Sequence, residues 1–211
     1  MMTAIISVRN ISKKIKEHPI FQDISFDIHK GECVGLVGHN GSGKTMIMKA
    51  ICGFITIDTG EIIINDEQIT CGTHFIRDAG VLIEAPVFLN TITGYENLAI
   101  LANIQQKISK EDIIHAMQVV GLGEAINKKV RAYSLGMKQK LRIAQAIMEN
   151  PSILILDEPF NGLDKASVEN FQCLLKAYQE KGTTILLTTH DDRQITTLCN
   201  KVYELDNGRM L

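Results

Sequence analysis

The spacing of apolar positions changes along this chain, and each change marks an element. In residues 5–8, and again in Ile24-Ser25-Phe26-Asp27-Ile28, apolar and polar side chains alternate with the period of a half-buried strand. Glu32-Cys33-Val34-Gly35-Leu36-Val37-Gly38 reads as a short apolar strand running into glycine, with a helix over residues 45–52 behind it. Glu61-Ile62-Ile63-Ile64 followed by Asn65-Asp66 reads as a strand and turn. From about 95 to 150 the period becomes helical. Leu98, Leu101, Ala102 and Gln105 share one face, and Met137, Leu141, Ala144, Ile147 and Met148 recur at three- and four-residue spacing until Pro151 stops the helix. Two near-continuous apolar strands follow, residues 153–156 and 184–187, with Val168, Phe171, Leu174, Leu175 and Tyr178 marking a helix face between them. Such strands alternating with helices predict an α/β fold with a parallel sheet covered on both faces, and the 95–150 block is an all-helical insertion in it.

Composition narrows the class. The 211 residues are 45% hydrophobic and 22% charged, enough apolar material for a buried core in one domain. A net charge of −2 leaves no basic field for nucleic acid, so no nucleic-acid partner is expected. No apolar run reaches the roughly 18–20 residues that span a bilayer, and the first nine residues lack the basic region and apolar core of a secretory leader; a cytoplasmic location is expected. Cys33, Cys52, Cys71, Cys173 and Cys199 contain no C-x-x-C pair and read as reduced thiols, mostly packed as small apolar residues. The histidines show no metal-ligand spacing.

The chemistry is concentrated in two places. Gly38-His39-Asn40-Gly41-Ser42-Gly43-Lys44-Thr45 matches G-x-x-x-x-G-K-[ST] between an apolar strand and a helix. Glycines let the backbone curl so that successive N–H groups face a phosphate, and the helix adds its positive end. Lys44 is placed to meet the β- and γ-phosphates, and the Thr45 hydroxyl is a hard ligand for Mg²⁺. The strand over residues 153–156 ends in Asp157-Glu158, at the edge of the sheet where α/β folds bind ligands. There Asp157 can hold Mg²⁺ and Glu158 can polarise an attacking water, which a phosphoryl-transfer site needs besides its cradle.

Between these sites, Tyr133-Ser134-Leu135-Gly136-Met137-Lys138-Gln139 resembles the signature motif of the ATP-binding cassette (ABC) ATPases, commonly Leu-Ser-Gly-Gly-Gln, with Ser134 and Gly136 matching and Leu135 and Met137 departing. Phe160-Asn161-Gly162-Leu163-Asp164 resembles the family's D-loop, and His190 follows an apolar strand where the family's switch histidine sits. The order of motifs is the family order, and the resemblance runs from about residue 5 to 211. It implies a P-loop NTPase core with a mainly parallel sheet, an N-terminal antiparallel β part and an inserted all-helical subdomain, the core being about 1–84 and 151–211 and the insertion about 85–150. It implies ATP and Mg²⁺ as cofactors, and a head-to-tail dimer, homo- or heteromeric. In that dimer ATP lies between one subunit's residues 38–45 and the other's Ser134 and Gly136, with Asp164 nearby. A membrane-spanning permease is the further partner implied, placing the chain on the inner face of the cell membrane.

Two positions depart from the pattern. Where the family has an aromatic residue over adenine this chain has Ile15, with Phe21 near enough to substitute. Where the family has the Q-loop glutamine, Gly80-Val81-Leu82-Ile83-Glu84 supplies a glutamate, expected to face Mg²⁺ in a catalytic and metal-holding role and to couple the site to the permease. Glu84-Ala85-Pro86-Val87-Phe88-Leu89 and Thr93-Gly94-Tyr95-Glu96-Asn97-Leu98 resemble the ATPases of bacterial self-immunity exporters for bacitracin and lantibiotics. The function implied is ATP hydrolysis driving export of peptide antibiotics or other amphiphiles. The alternative is a non-transport ABC ATPase acting as a cytosolic assembly or maintenance factor.

Overall fold

The computed structural model describes residues 4–84 and 88–211, so Ala85, Pro86 and Val87 of the subgroup motif lie outside the described residues. In chain order the elements are β1 (Ala4–Ile15), β2 (His18–His29), β3 (Cys33–Val37), α1 (Lys44–Ile51), β4 (Thr59–Ile64), β5 (Glu67–Gln68) and β6 (Ala79–Leu82). Then come α2 (Gly94–Gln105), α3 (Lys110–Val119), α4 (Leu135–Ile147), β7 (Ile153–Leu156), α5 (Lys165–Glu180), β8 (Thr184–Thr188), α6 (Asp192–Leu198), β9 (Lys201–Asp206) and β10 (Arg209–Met210).

Two sheets result. An antiparallel sheet has the order β2-β1-β4-β5, and a second has the order β10-β9-β3-β8-β7-β6. In the latter every neighbouring pair is parallel except β9–β10. The fold is therefore α/β with a mainly parallel sheet, an N-terminal antiparallel part and inserted helices. The N-terminal strands run longer than the alternation suggests. Register shifts between Val8 and Ile11, and left-handed backbone at Asn10 and Asp23, break the period-two pattern without ending the pairing.

The central strands are buried on both faces, and alternate residues serve two different cores. Ile153 and Ile155 of β7 join Val34, Leu36, Ile47 and Ile51 in a core closed by the antiparallel sheet. Leu154 and Leu156 join Leu187, Leu141, Ala144 and Phe171 in a core closed by α4 and α5. Seating β7 between two cores fixes the position of the acidic pair at its C-terminal end. α2 and α3 both open on capping boxes, Thr93 with Glu96 and Ser109 with Asp112.

Candidate functional site

β3 ends at Val37 and the chain turns through residues 38–43 into α1, whose first residue is Lys44. Gly38 has φ 145°, and a Cβ there would lie 2.2 Å from the Leu205 carbonyl oxygen, so only glycine fits this turn. The Lys44 ammonium is nearly buried and donates to the carbonyls of Gly38 at 2.7 Å and His39 at 3.0 Å, curling over its own loop. Ser42 is wholly buried, and its hydroxyl has no hydrogen-bond partner among the described residues. An orphaned polar atom inside a loop of glycines and a cation suits phosphate oxygens, and ATP fits this cradle. His39 sits at the rim, its ring nitrogens 2.8 Å from the Asn40 carbonyl and 3.2 Å from Asp206.

The end of β7 meets this loop from below. The Thr45 hydroxyl donates to Asp157 Oδ2 at 2.7 Å, so two hard oxygens suited to Mg²⁺ already stand together. Asp157 Oδ1 accepts from the Thr188 hydroxyl at 2.7 Å, and that oxygen accepts in turn from the Glu158 backbone N–H at 2.9 Å. Glu158 has φ 47°, a left-handed conformation uncommon for a glutamate, and Thr188 at the end of β8 secures it. Glu158 Oε2 lies 2.9 Å from His190 Nδ1, so this ring nitrogen carries the proton and Nε2 is left free. Ile20, Asn40, Gly41, Gly43, Lys44, Thr45, Met46, Asp157 and Glu158 line one cavity of about 290 Å³. A groove of about 560 Å³ at the start of β6 is larger but has no phosphate cradle beside it.

Thr188 is a site residue that sequence reasoning missed. The only signal was a hydroxyl directly after the apolar run Ile185-Leu186-Leu187. Replacing it by valine leaves the Glu158 N–H and one oxygen of Asp157 without their partner, at a cost of about 1–3 kcal/mol. Thr188→Val is expected to lower Tm by roughly 3–8 °C in a thermal melt, whereas Thr188→Ser stays near wild type.

Other expected residues lie apart from this cavity. Ser134 caps α4 by accepting from the Met137 N–H at 3.2 Å. A Cβ on Gly136 would lie 2.9 Å from the Gly162 carbonyl, so the two loops touch closely, but neither 134 nor 136 lines the cavity among the described residues. Gln139, also missed, donates to the Pro159 carbonyl at 2.8 Å and ties α4 to the turn after the acidic pair. Asp164 caps α5: it accepts from the Ser167 N–H at 2.9 Å and from its hydroxyl at 3.0 Å, and the backbone bond holds its carboxyl below the usual range.

The structure does not bring Glu84 to Thr45 and Asp157. Its carboxylate pairs with Lys49, one helical turn beyond Thr45 on α1, and it lines a separate cavity with Phe54, Arg142 and Gln145. The Lys49 ammonium is the counterion at hand for Glu84. Ile15 ends β1 half exposed and does not line the P-loop cavity. Phe21 is wholly buried, so its ring is not free to stack on a base; Ile20 beside it is the apolar residue that reaches the cavity.

The family profile described as ABC transporter matches residues 21–161. The ABC transporter ATP-binding protein YdbJ of Bacillus subtilis is 40% identical over 212 residues, covering 100% of this chain and 69% of its own length. The bacitracin transport ATP-binding protein BcrA of Enterococcus faecalis is 36% identical over 213 residues, again covering 100% of this chain and 69% of its own. Among solved structures, an ATP-binding subunit of an ABC transporter superposes with a TM-score of 0.87 at 29% identity, over 99% of this chain and 88% of that one.

Proposed function

The chain belongs to the ABC transporter family, and from that premise we propose that it is the ATP-hydrolysing subunit of a bacterial exporter of peptide antibiotics or other amphiphiles. The observation that carries the ATPase reading is the continuous hydrogen-bonded chain Thr45–Asp157–Thr188–Glu158–His190 beneath the Lys44 cradle. The likeness to a bacitracin transport protein supports the cargo class. A non-transport ATPase is not favoured, because the family profile is that of ABC transporters and the relatives are named as transport proteins.

In this reading residues 38–45 hold the phosphates of ATP with their N–H groups and Lys44, and Ser42 finds its partner there. Thr45 and Asp157 would hold Mg²⁺, which supplies charge neutralisation at the phosphates. Glu158 takes a proton from the attacking water. His190 spends Nδ1–H on Glu158, so its Nε2 donates to phosphate only as an imidazolium or after the ring releases Glu158. Ser134 and Gly136 lie off the cavity of their own chain and serve the ATP of a second subunit, which makes the working unit a head-to-tail dimer. The absence, among the described residues, of any helix long and apolar enough to cross a membrane leaves the membrane step to a permease.

Glu84 belongs to the coupling side of this scheme. Its pairing with Lys49 joins the end of β6 to α1, the helix that starts at the phosphate cradle. The test is to delete the gene in its host, measure sensitivity to bacitracin and to a lantibiotic, and complement with variants. Wild type restores resistance and Lys44→Ala does not. Glu84→Ala is expected to lose most of the resistance while the purified variant keeps its ATP affinity within about 3-fold, and Glu84→Gln to retain much of the ATPase activity. Unaltered sensitivity on deletion rejects the cargo class; full resistance with Glu84→Ala rejects the coupling role.

A further inference from the structure

Cys33 and Cys199 lie 166 residues apart in sequence and their sulfurs are 3.8 Å apart, with the Cys33 thiol donating to the Cys199 sulfur. Both are free thiols. Cys33 is the first residue of β3, the strand that delivers the phosphate loop, and it is fully buried. Cys199 caps the C-terminus of α6, the helix that begins just after His190, and it is part exposed. The backbones are held side by side here: the Asn200 N–H donates to the Cys33 carbonyl at 2.8 Å, and the Cys33 N–H to the Asn200 side-chain oxygen at 2.9 Å. Ile195 and Cys199 also sit directly over Gly35 of β3.

We infer that Cys33 and Cys199 form an oxidation site that a hydroperoxide converts into an intramolecular disulfide, fastening the phosphate-loop strand to the helix behind His190. A disulfide needs its sulfurs about 2.05 Å apart, so the pair closes by less than 2 Å, within reach of rotations about two Cα–Cβ bonds. The two thiols have separate parts. The bond from Cys33 holds the Cys199 thiol below its ordinary value, while that bond and burial push Cys33 up. Cys199, the part-exposed member of the pair and the one whose thiol is shifted down, is the sulfur that a peroxide meets first.

The thiolate of Cys199 attacks one peroxide oxygen, the O–O bond breaks, and the sulfur becomes a sulfenic acid while hydroxide leaves. The Cys33 sulfur then attacks the sulfenic sulfur, gives up its proton, and displaces the hydroxyl as water. The two thiols lose two electrons and the peroxide accepts both, with no other reactant. The remaining thiols lack this arrangement: burial pushes Cys52 up to about 12, and Cys71 and Cys173 have no sulfur partner among the described residues.

The test uses the full chain with Cys71→Ser and Cys173→Ser, which removes the accessible competing thiols, treated with dilute hydrogen peroxide. The intact mass is expected to fall by about 2 Da, and non-reducing peptide maps to join Cys33 to Cys199. ATP turnover is expected to fall at least 5-fold, to return with dithiothreitol, and to be unaffected by peroxide in the Cys199→Ser variant. No loss of mass, a bond through another cysteine, or a complete 33–199 bond with unchanged turnover overturns the inference. This rests on the proposed ATPase reading only for its turnover arm; a chain without ATPase activity defeats that reading, and the mass and map still decide the thiol pair.

Discussion

Lys44→Ala is expected to weaken ATP binding by a factor of at least ~100. The ammonium is nearly buried and, among the described residues, donates to two carbonyl oxygens of its own loop, so its charge is held ready beside the cradle. When phosphate arrives, those two neutral acceptors give way to anionic ones, and charge-assisted bonds are roughly twice as strong as neutral ones. Removing the amine therefore costs the complex more than it costs the free protein. Lys44→Arg is expected not to rescue it, because a planar guanidinium fork does not reproduce the point-charge contacts that the ammonium makes at the Gly38 and His39 carbonyls. The loss is read by titration with a fluorescent ATP analogue. A thermal melt with Mg²⁺ and ATP gives the same answer independently: wild type gains stability in proportion to the logarithm of ligand over Kd, and the variant gains almost none. Undiminished affinity would mean that ATP binds elsewhere.

How much of this was legible in the sequence depends on the range of the interactions. The phosphate loop and the acidic pair were legible because each is contiguous: a run of glycines ending in Lys44-Thr45, and an apolar strand ending in Asp157-Glu158. Parallel strands were legible because burial on both faces makes them apolar throughout, as in β7 and β8. The N-terminal hairpin was read too short, since its bulges shift side chains to the wrong face and Lys13 and Lys14 fall where alternation would place apolar residues. α3 left little pattern of its own, with only Ile113, Ala116 and Met117 buried along ten residues.

Long-range partners were not legible at all. Nothing near Glu84 in sequence announces Lys49, which reaches it from α1, and nothing near Glu158 announces Thr188. In the sequence Phe21 is simply an aromatic near Ile15, and nothing beside it announces its burial. Its burial is decided by the strand pairing, which turns Phe21 inward and leaves Ile20 to face the cavity.

Glu158→Gln is expected to keep ATP affinity within a few-fold of wild type and to lose hydrolysis by ~10²–10⁴. The substitution preserves shape. A glutamine oxygen still accepts from His190 Nδ1–H, and the backbone N–H still reaches Thr188, so the left-handed turn at 158 keeps both of its supports. What disappears is basicity: an amide oxygen cannot take a proton from water. With binding intact and turnover gone, ATP stays between two subunits, and the variant is expected to sediment as a dimer with ATP and as a monomer with ADP. His190→Ala should lower turnover less, by roughly 10–100-fold, because it removes an orienting donor rather than the base. The double variant should be no slower than Glu158→Gln alone if the two act as one unit. Phosphate release measured on all four proteins separates the cases. Near-normal turnover in Glu158→Gln would transfer the role of base to another group, and additive losses in the double variant would mean that the 2.9 Å contact between His190 and Glu158 does not join them in the reaction.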